Sequence, residues 1–240
     1  MWSICKKELG QFFSSLTGYI AIIMFLLING IFLFMLQDSS FLEFGYATAD
    51  KFFELAPWVL LFLVPAICMR SFSDEFRLGT FEILKTRPVT SWGVVLGKFY
   101  AVLLVLVFVI LPTFIYIFTI QSLSAEGNID TGGIAGSYLG LYLLAAVFAS
   151  ISICCSSFTS NAVIAFLISA FVCLVLYFGF NAVSKLPVFR GNADYYVEMF
   201  GIDFHYRSIS RGVVDSRDIV YFLSIIFISL LITVKNLDKK

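Results

Sequence analysis

Along the chain, long runs of uninterrupted apolar residues alternate with short stretches that hold nearly all of its charge. Six runs read as membrane spans: about 18–36, 55–69, 92–120, 132–155, 162–183 and 219–234. Crossing ~30 Å of hydrocarbon takes about 20 helical residues at 1.5 Å each, so the second span is expected to begin a turn or more before residue 55. The first run is too long for a signal-peptide core and has no small-residue cleavage site, so it is expected to stay as an anchor. Before it, Trp2, Leu9, Phe12, Phe13 and Leu16 recur at helical spacing around Lys6, Lys7 and Glu8. That pattern predicts an amphipathic interfacial helix over 1–17 lying in the headgroup plane, with a plain extension of span one as the alternative. Spans four and five are joined by a turn of a few residues, 156–161, and should form a tight hairpin. The longest outer segment, 185–217, mixes charge with aromatic rings and predicts short helices against the membrane surface. No repeat or linker interrupts the chain, so 1–240 reads as one transmembrane domain of the all-α class.

Composition strengthens the membrane reading. The chain is 60% hydrophobic and 13% charged, with a mean hydropathy of +0.96, where a soluble domain carries about 25% charged residues. Its 28 phenylalanines exceed what a core of this size can hide from water. Net charge is zero, which gives no basic stripe for nucleic acid. Orientation follows from lysine and arginine, which favour the cytoplasmic side. With both termini inside, ten of the sixteen cations fall inside, from Lys6 to Lys240, and six outside. The location implied is a bacterial cytoplasmic (inner) membrane.

Few residues offer chemistry. Cys5, Cys68, Cys154, Cys155 and Cys173 sit in or near spans and read as small packing residues. His205 is the only histidine, so a His-rich metal site is excluded and no cofactor is implied. Lys98 is the only ionisable residue inside a span, close enough to the cytoplasmic side to snorkel to the interface. Ion-coupled transporters and membrane enzymes both need such groups near the midplane, so neither class is favoured and no catalytic residue is expected. Gly93-Val-Val-Leu-Gly97-Lys98-Phe99 has the look of a phosphate loop. Its spacing is one residue short, however, and Phe99 stands where Ser or Thr should hold magnesium. Gly132, Gly136 and Gly140 form a GxxxGxxxG face suited to close helix packing, within the chain or between subunits. Pro65, inside span two, is expected to kink it and serve as a hinge.

The polar segment 70–91 alternates charge with Phe72, Phe76, Leu78, Phe81, Ile83 and Leu84. Ser71 with Asp74 is a candidate helix cap, Gly79 a helix break and Pro88 a second stop. A short charged helix with apolar ridges needs a partner surface, either a protein groove or lipid headgroups.

The run Ser-Asp74-Glu75-Phe76-Arg77-x-Gly79-Thr80-Phe81-Glu82-x-Leu, followed by Arg87-Pro88 and Gly97-Lys98-Phe99, resembles the cytoplasmic loop of ABC-2-type transporter permeases. The stretch from His205 to Leu223 is similar to the last outer loop and span of that family, and the likeness covers essentially the whole chain. Within the family it looks most like the gliding-motility-associated permease subunit of Bacteroidota. The resemblance implies a non-catalytic membrane subunit of an ATP-driven exporter, with the segment 70–91 as the coupling segment that docks into a separate ABC ATPase. Asp74, Glu75, Phe76, Arg77, Gly79, Thr80, Phe81 and Glu82 are the expected docking residues. A second permease copy or a related membrane subunit is expected to face spans one, two and five. An alternative is a mechanical or scaffolding subunit of an envelope machine through which no solute passes.

Overall fold

A computed structural model describes residues 1–35, 49–85, 89–123, 130–187 and 194–239. Arg87 and Pro88 lie outside the described residues. Thirteen α-helices, and no strand, occur among those described. Five are long and apolar enough to cross a membrane, or six when the bent pair at the N-terminus counts as one span.

That pair is α1 (Trp2–Ser14) and α2 (Leu16–Phe34), which meet at an angle of 68°. Ser15 between them has extended backbone and its hydroxyl returns to the Phe12 carbonyl, so α1 is not a continuation of the span. The second span, α3 (Asp50–Cys68), begins five residues before Leu55 and holds Pro57 as well as Pro65. It passes with helical backbone at Met69 into α4 (Arg70–Arg77), giving one 28-residue helical path. The short α5 (Thr80–Lys85) follows.

Span three is α6 (Ser91–Ile110), a 3-10 turn at Leu111–Thr113, and α7 (Phe114–Leu123). Pro112 has no N–H to continue the α ladder, which accounts for the break. The Thr113 hydroxyl donates to the Ile110 carbonyl there. α8 (Thr131–Ser156) is the central pillar. It is apolar on every side, as a helix enclosed by others must be. Ala145, Ala146, Ala149, Ser150 and Ser152 keep its girth small enough for close approach. Its most apolar stretch is 78% buried, against 28% for span five, so α8 is the core and span five leaves most of its surface outward.

Span five comprises α9 (Ala162–Leu174), a π turn at Val175–Gly179 and α10 (Phe180–Ser184). Two short helices, α11 (Asp194–Glu198) and α12 (Ile202–Ile209), precede the last span, α13 (Ser216–Asp238). Buried hydroxyls at Ser150, Ser152, Ser169 and Thr233 donate to carbonyls three or four residues earlier, which satisfies them without water.

Contacts sort the molecule into two ends. Lys98 reaches Glu8, Ser91 reaches Asp238, and the Asn236 amide donates to the Ser157 carbonyl at 2.7 Å. Both termini, α4 and the α8–α9 turn therefore share one end, here called basal. α11 and α12 occupy the opposite, apical end. There α12 differs from a helix resting on a lipid surface. It buries Ile202, His205, Tyr206 and Ile209 inside the bundle, because α8 offers it a glycine-lined groove.

Candidate functional site

The basal site is built on α4 and α5. No side chain of α4 caps its own N-terminus, and neither Ser71 nor Asp74 plays that role. The contact comes from another element: Ser156 Oγ, on the last turn of α8, accepts from the backbone N–H groups of Phe72 and Ser73 at 3.1 and 3.2 Å. The same hydroxyl donates to the Met69 carbonyl at 3.0 Å. One serine thus bonds three backbone groups where α3 passes into α4 and fastens α4 to the central pillar.

At its other end α4 stops at Leu78, and Gly79 follows with φ +68°, the left-handed conformation that glycine adopts freely. A Cβ at Gly79 would meet nothing within 4 Å, so its backbone angle and not crowding demands glycine. Phe72, Phe76 and Phe81 form a ladder of rings with centroids 6.1 and 5.1 Å apart, joining α4 to α5 and packing against the core. Phe76 and Phe81 are half-buried in consequence. Asp74 pairs locally, with Arg77 at 3.1 Å and Arg70 at 4.0 Å. The outward face of the tip is Arg77, Leu78, Gly79, Thr80 and Glu82, with Leu78 68% exposed.

Glu75 points inward. Its Oε1 lies 2.9 Å from Lys98 Nζ and 3.5 Å from Lys7 Nζ. Lys98 does not snorkel out; it is 1% exposed, with Nζ also 2.8 Å from Glu8 Oε1 and 2.6 Å from the Ser71 carbonyl oxygen. Partners supplied by α1 and α4 make burial cheaper than reaching water, because a paired and hydrogen-bonded charge avoids the bare desolvation cost. The sequence pattern exposed neither Glu8 nor Ser156 as functional. The available signal was Lys98 itself, two turns inside an apolar helix and in need of carboxylate neighbours.

Pro65 sits one turn before Met69, whose N–H returns to the Pro65 carbonyl at 2.9 Å. An apolar cleft of about 600 Å³ lies beside it, between α2 and α3. Met24, Trp58, Phe62 and Ala66 line this cleft with Phe166 of α9, and Arg70 stands at its basal end.

At the apical end, a Cβ on Gly136 would approach the Gly212 carbonyl oxygen to 2.8 Å, and one on Gly140 would approach the Ile209 side chain more closely still. Gly212 itself has φ +83°. Gly132 takes no part in this contact and faces only Asp130. Tyr206 donates to the Phe53 carbonyl at 2.7 Å, and burial pushes its hydroxyl well above its ordinary pKa, so it remains a neutral donor. Arg207 bridges Asp203 and Glu198. Burial works against its charge, but the two carboxylates outweigh that and hold the guanidinium above its ordinary range. His205 lies between Asp218 at 2.7 Å and the Met199 carbonyl at 2.9 Å. Among the described residues no group of three or more His, Cys, Asp or Glu converges on a metal position.

The sequence pattern that defines the ABC-2 family transporter proteins matches residues 2–193, most of the chain. The chain belongs to the ABC-2 transporter family. No curated protein matches it. For an ABC-2 transporter the multi-pass helical bundle is the expected membrane subunit of an exporter. In this bundle α4 and α5 carry a short charged tip at the basal end.

Proposed function

We propose that this chain is the permease subunit of an ATP-driven ABC-2 export complex, and that the α4–α5 tip docks a separate ABC ATPase. The observation that carries this is the outward face at Arg77, Leu78, Thr80 and Glu82, which combines an apolar side chain with both signs of charge on a helix fused to span two. A groove on a partner supplies apolar contact for Leu78 and charge-assisted hydrogen bonds for Glu82 and Arg77. Phe76, Phe81 and Asp74 support the tip from within, while Glu75 is engaged by Lys98, so the docking burden falls on the exposed residues. The basal end is then cytoplasmic, with both termini, in a bacterial inner membrane. Pro65, at the junction of span two and the tip, acts as the hinge through which the ATPase tilts that span. A second permease copy or a related subunit faces the cleft between α2, α3 and α9. The subunit itself is non-catalytic. Its resemblance to the gliding-motility permease subunit of Bacteroidota connects it with motility or the cell envelope.

Purification in mild detergent tests this reading. The native chain should carry an ATPase through purification, and Leu78→Asp with Glu82→Lys should lose it while inserting normally. Equal recovery of the ATPase with that double variant would refute the docking surface.

A further inference from the structure

The basal end contains a polar junction that docking alone does not explain. α1 packs along α6, whereas the backbone of α4 packs on α8 and α9. A cleft of about 530 Å³ lies between α1, α4 and α6, lined by charged and polar residues such as Lys7, Gln11 and Arg70 and by apolar ones such as Phe12 and Val102. Charge crosses this cleft. Lys98 rises from α6 with three ammonium protons and finds three acceptors: Glu8 Oε1 on α1, Glu75 Oε1 on α4, and the Ser71 carbonyl at the start of α4. The Phe72 ring lies 4.9 Å from the same nitrogen and closes its remaining side. With Lys7, also 3.5 Å from Glu75, the cluster holds two cations and two carboxylates and is neutral. The Lys98 ammonium is fully paired in a buried setting, which stiffens the junction, and its loss leaves the part-buried carboxylates short of a cation.

We propose that Lys98 is a positioning residue that clamps α1, α4 and α6 into one ionic unit, so that a push on α4 reaches the membrane through the interfacial helix and span three together. Without it, the push would pass along span two alone. The proposal rests on the reading of α4–α5 as the ATPase-facing tip, and the two can fail separately. Ser156 fixes the start of α4 to the pillar; Lys98 fixes its flank to the moving parts. The role belongs to charge, because Lys98 meets both α1 and α4 through its ammonium group.

The test places nitroxide labels at exposed Gln11 on α1 and exposed Arg70 on α4, outside the docking face, in the full chain reconstituted in lipid nanodiscs, and reads their separation by pulsed electron paramagnetic resonance. The native chain and Lys98→Arg should give one narrow distance distribution. Lys98→Met should broaden it at least about twofold, and Glu8→Gln with Glu75→Gln, which leaves Lys98 untouched, should do the same. In the ATPase-bound complex the native distance should not change with a non-hydrolysable ATP analogue, because both labels ride on one unit. In Lys98→Met it should become nucleotide-dependent while the ATPase stays bound. A narrow distribution in Lys98→Met, or one equally broad in Lys98→Arg, would overturn the clamp. Should Lys98→Met not fold, the double Gln variant decides by the same measure. Failure of the native chain to hold an ATPase would sink the docking reading and leave the distance measurement to judge the clamp.

Discussion

The two ends of this bundle each carry a short amphipathic helix, α4 at the base and α12 at the apex; both make polar bonds to other elements, but only α12 is also locked by glycine-sized gaps. α12 is interlocked sterically: Gly136 and Gly140 leave room for Gly212 and Ile209 at distances where a single added carbon would collide. Its ion pairs, around Arg207, are local and partly exposed. α4 is held by polar bonds that cross between elements, from Ser156 and Lys98, with its tip left outward. The difference teaches that the apex is fixed by shape, whereas the base depends on one shared cation and one shared hydroxyl.

The largest expected effect comes from breaking the basal side of this contrast. Lys98→Met leaves Glu8 and Glu75 part-buried with only the half-exposed Lys7 nearby and should cost about 3 kcal/mol of stability, by the usual penalty for removing one side of a buried pair. Adding Glu8→Gln and Glu75→Gln should return most of that loss. Thermal unfolding in detergent compares the three proteins, and equal destabilisation of the single and triple variants would show that charge is not what holds the junction.

The next effect is apical. Gly140→Ala forces Ile209 aside and should cost about 1–3 kcal/mol by over-packing, with Gly136→Ala similar because its neighbour is backbone. Hydrogen exchange should rise in α12 and stay unchanged in α4. Exchange rising at both ends would dissolve the distinction drawn between them.

Ser156→Ala removes the hydroxyl that fastens α4 to the pillar and should cost about 1 kcal/mol, typical of losing a hydrogen-bonding hydroxyl. The amides of Phe72 and Ser73 should then exchange faster while the rest of α8 keeps its protection. The smallest effect is at Arg207, 45% exposed, where Arg207→Gln should change stability by less than about 1 kcal/mol despite two carboxylate partners.

Much of this was legible in the sequence because lipid imposes a coarse rule: long apolar runs must be helices, and their number and order follow. The separate amphipathic helix at the N-terminus, the hairpin of α8 and α9 and the break at Gly79 were read from pattern alone. Junctions were not. Ser156 is 84 residues from Phe72 in the chain, and Glu8 is 90 from Lys98, so neither partnership leaves a local trace. The early start of the second span followed from the thickness of the hydrocarbon, although Asp50, Lys51 and Glu54 hide its first turns behind polar residues. The break at Pro112 was passed over inside an otherwise apolar run. For the candidate site, residue type identified a charged tip with aromatic ridges. Only the fold separates Leu78 and Glu82, which face outward, from Glu75, which is spent inside.

The central claim is that the exposed α4–α5 tip meets an ATPase on the cytoplasmic side. A photo-crosslinking amino acid at Leu78, compared in living cells with one at Val213 on the apical end, tests it most directly. Both positions are 62% exposed or more, so reach to solvent does not decide the outcome. The account predicts that Leu78 captures a soluble polypeptide carrying an ATP-binding domain, in a product lost with Glu82→Lys, and that Val213 captures none. An ATPase adduct at Val213, or its absence at Leu78 in a folded and inserted chain, would contradict it.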